Sequence, residues 1–140
     1  MSQPSKEPNK PSNEILGAIV YAVLLQPFGK LPAKVQQDLL ESHPKAGKKA
    51  PVIYVGQTRL SAEERFANHQ RGYKASKLVR KHHRQLIVLD RWKPEFPFAI
   101  SPKVAKQVYL LARRSRGNPA KREAEVARLL RDAGFFVHSA

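Results

Sequence analysis

PVIYVGQT (Pro51 to Thr58) and, two residues later, SAEERFANHQ (Ser61 to Gln70) put a strand and a helix almost end to end. The first run is apolar and β-branched and closes on a glycine and polar residues, as a buried strand does where it leaves a sheet. Ser61-Ala62-Glu63-Glu64 is a capping box. Its serine hydroxyl and the glutamate three residues on satisfy backbone N–H groups that a helix start leaves free, so a helix runs from about Ala62 to Gln70 and ends at Arg71-Gly72. Upstream, GAIVYAVLLQ (Gly17 to Gln26) predicts a well-buried first strand ended by Pro27 and Gly29. LPAKVQQDLLESH (Leu31 to His43) then predicts a short amphipathic helix with Val35, Leu39 and Leu40 on one face. Downstream follow a short basic helix (Ala75 to His83), a third strand (Gln85 to Trp92) and a helix opened by Ser101-Pro102 and reaching about Arg114. A last helix, about Ala120 to Ala133, repeats Val126, Leu129, Leu130 and Ala133 on one face, and Gly134 precedes a final apolar piece, Phe135 to His138. The expected fold is α+β, a small and mostly antiparallel sheet of three to four strands flanked by helices.

A chain of 140 residues, 41% apolar, supports one compact core. The absence of cysteine excludes disulfides, thiolate nucleophiles and Cys-ligated zinc. The longest apolar run, Ala18 to Leu25, is far too short to span a bilayer, and no glycine-rich phosphate loop occurs. Met1 to Asn13, rich in Pro, Ser, Asn and Lys, reads as a disordered tail without the pattern of a signal or transit peptide, with the folded domain from residue 14 to 140. A soluble, cytoplasmic protein is expected.

Formal net charge is +15, and its distribution is uneven. Arg65 to Arg122 holds 16 Lys and Arg against only Asp90 and Glu95, a balance of +14, while the first 64 residues are close to neutral. A directed basic surface of this kind suits a polyanion, and nucleic acid is preferred to membrane because no basic helix carries a large aromatic apolar face.

Arg65 and His69 lie four apart on one face of the capped helix, just after Tyr54 on the preceding strand. A guanidinium, an imidazole and a phenol form a kit for cutting a phosphodiester: one stabilises charge, the others move protons or orient water. Glu123 and Glu125, at the start of the last helix, supply candidate ligands for Mg²⁺ or Mn²⁺, ions usually held by one or two carboxylates together with substrate oxygens and water.

At these residues the chain resembles the GIY-YIG nuclease superfamily. Tyr54-Val55-Gly56 matches the second signature, and Arg65-Phe66-Ala67-Asn68-His69 looks like the family's R-x3-H helix. Ile19-Val20-Tyr21 stands where Gly-Ile-Tyr is expected, and the likeness runs from about Gly17 to Val137. The resemblance implies two facing tyrosines, Tyr21 and Tyr54, one serving as general base or positioning the attacking water. It implies Arg65 on the scissile phosphate, His69 in proton transfer, and a glutamate holding a single divalent ion. Glu123, with Val126, Ala127 and Leu130 three, four and seven positions on, fits that glutamate, and Glu125 stands as the alternative. Where many members carry an asparagine, the nearest polar side chain is His138.

Nucleic-acid contact is assigned to Arg71, Lys74, Lys77, Arg80, Lys81 and Arg84, with Arg113, Arg114 and Arg116 as a second cluster. Such cations position a strand through its phosphates without reading sequence. His82 and His83 go to phosphate or solvent, and Tyr73 and Trp92 to base stacking or, for Trp92 equally, to the core. The expected activity is metal-dependent hydrolysis of DNA, RNA being the other substrate class. A non-catalytic nucleic-acid-binding module on the same scaffold, and a basic structural protein of RNA or the ribosome, are the competing readings.

Overall fold

A computed structural model describes residues 17–72 and 76–139. The tail, Tyr73 and Lys74 lie outside the described residues. Chain order is β1 (Ile19–Leu25), a 3-10 turn (Phe28–Lys30), α1 (Ala33–Ser42), β2 (Val52–Thr58), α2 (Ala62–Arg71), α3 (Lys77–His82), β3 (His83–Ile87), α4 (Pro102–Ala112), α5 (Pro119–Asp132) and β4 (Phe136–Ser139). The fold is α+β, with one open four-stranded sheet ordered β3-β1-β2-β4. β1 runs antiparallel to both its neighbours, and β4 adds parallel to β2. The sheet is therefore mixed, and mostly antiparallel as expected.

β1 is buried along its whole length because helices cover both faces of the sheet, which is why IVYAVLL shows no polar alternation. Val20, Ala22 and Leu24 face Val108, Ala112, Val126 and Leu130 of α4 and α5. Ile19, Tyr21, Val23 and Leu25 face a second core that includes Leu39 of α1, Ala62 of α2, Val79 of α3 and Phe136. Both tyrosines lie on this second face.

Two boundaries differ from expectation. The third strand begins at His83, directly after α3, and ends at Ile87 rather than Trp92. The chain then leaves the sheet through bends, and Trp92 belongs to neither core, so the core placement of its indole is corrected. Periodicity did not register this exit, because Val88 and Leu89 continue the apolar run after the pairing to β1 has stopped. Among the described residues, no helix is long and apolar enough to cross a membrane.

Candidate active site

Antiparallel register sets the two phenols. Tyr21 pairs across the sheet with Gly56, and Tyr54 pairs with Val23, so the tyrosines stand diagonally on one face with ring centroids 6.3 Å apart. A Cβ at Gly56 would lie 2.7 Å from the Tyr21 hydroxyl oxygen, inside contact distance, so the motif's glycine is the space in which the Tyr21 ring rests.

α2 supplies the next two groups. The capping box is formed in both directions: the Glu64 N–H donates to Ser61 Oγ over 3.1 Å, and the Ser61 N–H donates to the Glu64 carboxylate over 3.2 Å. With the helix start held, His69 is directed into the protein, 0% exposed, with Nε2 2.7 Å from the Tyr21 hydroxyl. Its ring centre lies 5.9 Å from Tyr21 and 5.7 Å from Tyr54. Arg65, one turn earlier, is near enough for its charge to act on both Tyr21 and His69. Tyr21, Tyr54, Arg65 and His69 are thus brought together.

Burial, reinforced by the neighbouring Tyr54, pushes the Tyr21 phenol well above its ordinary range, with Arg65 acting against the rise. Burial and then Glu123 raise the Tyr54 phenol. Burial, with Arg65 beside it, lowers His69 to about 4, so the ring is neutral at physiological pH. His69 Nδ1 is buried and has no hydrogen-bond partner among the described residues.

The two candidate carboxylates part company. Glu123 is only 6% exposed, on the α5 face that carries Val126, Ala127 and Leu130 into the core, and near enough for its charge to act on Tyr54. Burial raises its carboxyl to about 7, and among the described residues no side chain pairs with it. Glu125 is exposed and grips Arg128 at 2.8 and 3.1 Å. The structure therefore buries Glu123 within electrostatic reach of Tyr54 and leaves Glu125 at the surface. His138 stacks on Tyr54, with centroids 5.9 Å apart and planes 19° apart, which makes it a wall of the site.

The basic residues divide as well. Lys77, Arg80, Lys81 and Arg84 are exposed on α3 and β3, and Arg71, also exposed, donates to the Asn68 side chain. Arg113 and Arg116 are exposed, Arg113 lying over the Tyr109 ring at 5.6 Å. Arg114 is committed to the fold, donating to the main-chain carbonyls of Gly17, Arg59 and Leu60 over 2.8 to 3.0 Å. Of the two ring histidines beside them, His83 binds the Val79 carbonyl at 2.8 Å.

Sequence reasoning missed two structural groups. Arg122 donates to the carbonyls of Leu111, Arg113, Ala18 and Ser115, which fastens the loop between α4 and α5 to the start of β1. His43, at the end of α1, donates from Nδ1 to the Leu39 carbonyl and accepts the Val137 N–H at Nε2, joining α1 to β4. Neither shows a local signal, since an arginine beside a basic run and a lone histidine before Pro44 read as surface. No family model, curated protein or solved structure matches this chain.

Proposed function

We propose that the chain is a divalent-metal-dependent endonuclease of GIY-YIG type that hydrolyses phosphodiester bonds of DNA. The observation that supports it is the gathering of Tyr21, Tyr54 and His69 on one face of the sheet, with His69 on the Tyr21 hydroxyl, Arg65 acting on both and Glu123 of a distant helix acting on the second phenol. A phosphate drawn to Arg65 is delivered beside Tyr21. The attacking water gives its proton to the Tyr21 oxygen while the phenolic proton passes to His69 Nε2 over the 2.7 Å link.

In the free protein burial opposes that transfer, raising Tyr21 and lowering His69. Arg65 contributes to the lowering of His69. A phosphate paired with the guanidinium offsets that positive field, so His69 becomes a stronger base once substrate is seated, and proton transfer is tied to binding.

Glu123 is the residue that would hold Mg²⁺ or Mn²⁺. Its donor set fits: a nearly buried carboxyl raised to about 7, with no partner among the described residues, gains from a cation what burial took from it. Among the described residues no group of three His, Cys, Asp or Glu is assembled, and one carboxylate completed by phosphate oxygens and water is a usual Mg²⁺ environment. When bound, the ion supplies charge stabilisation at the leaving oxygen.

Supercoiled plasmid with Mg²⁺ tests the proposal. Wild type should nick it, and Arg65→Ala and Glu123→Gln should each lose about a hundredfold or more in rate while keeping DNA binding. Binding without metal-dependent cleavage of either DNA or RNA by any form would overturn the enzyme and leave a non-catalytic binding module.

A further inference from the structure

Trp92 is the chain's sole tryptophan, and it is 55% exposed on the connection between β3 and α4. An indole left this open presents a large apolar face that the described residues cover only in part, and its surroundings are shaped. The Tyr109 ring stands 5.2 Å away, tilted by 55°, and the Arg113 guanidinium lies over that ring. Two shallow cavities of about 340 and 380 Å³ share the indole as a wall, the first floored by Tyr109, Leu110 and Lys106, the second reaching Leu86 and Val88.

From this we infer that Trp92 and Tyr109 form a stacking site for an unpaired nucleobase, so that the preferred substrate is a nucleic acid with a single-stranded or frayed segment beside the cut. Charge selects the class of occupant. Lys93, Lys106 and Arg113 surround the rings, Glu95 is the acid on the rim, and Arg91 is held by Glu63 at 2.6 Å. A second copy of a chain carrying +15 meets like charge here, whereas a phosphate-linked base brings negative charge and a flat π-face together. Bases of an intact duplex present only their edges, so the face that stacks belongs to an unstacked nucleotide. Position agrees with the site: the Arg91–Glu63 pair ties this connection to the first turn of α2, the helix that holds Arg65 and His69. The substrate preference rests on the nuclease reading, and the stacking does not.

The lone indole reports directly. Wild-type protein without divalent metal is titrated with a short oligothymidylate while tryptophan emission and the anisotropy of a labelled strand are recorded together. Quenching that saturates with binding is expected, and heparin, which carries charge without bases, should leave the emission in place. Trp92→Ala should weaken strand binding between about fivefold and a hundredfold, with Trp92→Phe recovering most of the loss. Binding without quenching, equal quenching by heparin, or unchanged affinity in Trp92→Ala overturns the inference. So does a Trp92→Ala variant that merely turns a dimer into a monomer. Plasmid cleavage is scored separately: cleavage without quenching removes only the stacking site, and quenching without cleavage removes only the nuclease.

Discussion

Glu123→Gln should make the protein more stable at alkaline pH while abolishing its metal response. The carboxyl titrates at 4.5 when unfolded and at about 7 in the fold, where burial disfavours its charge. Between those values the folded protein keeps a proton that the unfolded chain has released, so stability falls as pH rises through this window and is level above it. A shift of this size, at about 1.4 kcal/mol per pH unit, amounts to roughly 3 kcal/mol lost by pH 8. Glutamine has the same shape and no charge to desolvate. The two proteins should therefore be equally stable near pH 4 and separate by roughly 3 kcal/mol at pH 8, on the order of 10 °C in Tm. Urea unfolding at intervals from pH 4 to 9 measures the difference. His43, His69 and His138, all lowered by burial, tilt each curve the opposite way, stabilising the fold as pH rises toward 6.5, but they are common to both proteins and cancel. Millimolar Mg²⁺ should close most of the gap at pH 8 by stabilising wild type alone. A gap that stays constant across pH, or a glutamine variant that is less stable throughout, would refute the placement of an unpartnered buried carboxyl at the site.

Gly56→Ala should cost about 1–3 kcal/mol in urea unfolding and abolish nicking, because the new methyl occupies the resting place of the Tyr21 ring. Arg122→Met should lower stability by roughly 2–4 kcal/mol by thermal melt, since it strands several carbonyls that the guanidinium now satisfies. Glu125→Gln should leave both nicking and Tm unchanged, its carboxylate being spent on Arg128 at the surface. Alanine at Lys77, Arg80, Lys81 or Arg84 should each reduce the slope of log affinity against log salt by about 1 where that residue contacts phosphate; an unchanged slope in all four moves the interface elsewhere.

Legibility in the sequence followed locality. The capped helix was readable to within a residue because its start is written in Ser61 and Glu64, and β1 because an unbroken apolar run between glycine and proline has one reading in a sheet covered on both faces. Pairing partners are not local: that β4 joins β2 in parallel depends on where α5 delivers the chain, and Phe136-Val137-His138 alone does not say so. The same divide runs through the site. Arg65 and His69 share a helix face and could be paired by spacing, whereas the choice between Glu123 and Glu125 turns on a rotation of about 200° around α5, which only the packing of Val126 and Leu130 decides. Arg114 and the core placement of Trp92 differ from the structure for one reason in two directions. Composition assigns cations to solvent and indoles to cores, and here backbone carbonyls claimed the arginine while the end of a strand expelled the tryptophan.

Arg122 and Glu123 are neighbours on one helical turn, and the first holds the Ala18 carbonyl three residues before Tyr21. The acid and the first phenol are thereby gauged from a common origin, although more than half the chain separates them. Lengthening the short connection at Ser115 to Asn118 by even one residue should rotate that origin and shift Glu123 without touching any side chain of the candidate site. Engineered insertions are better directed to Gly47 to Lys49 between α1 and β2, clear of the contacts that His43 and Pro51 make to β4.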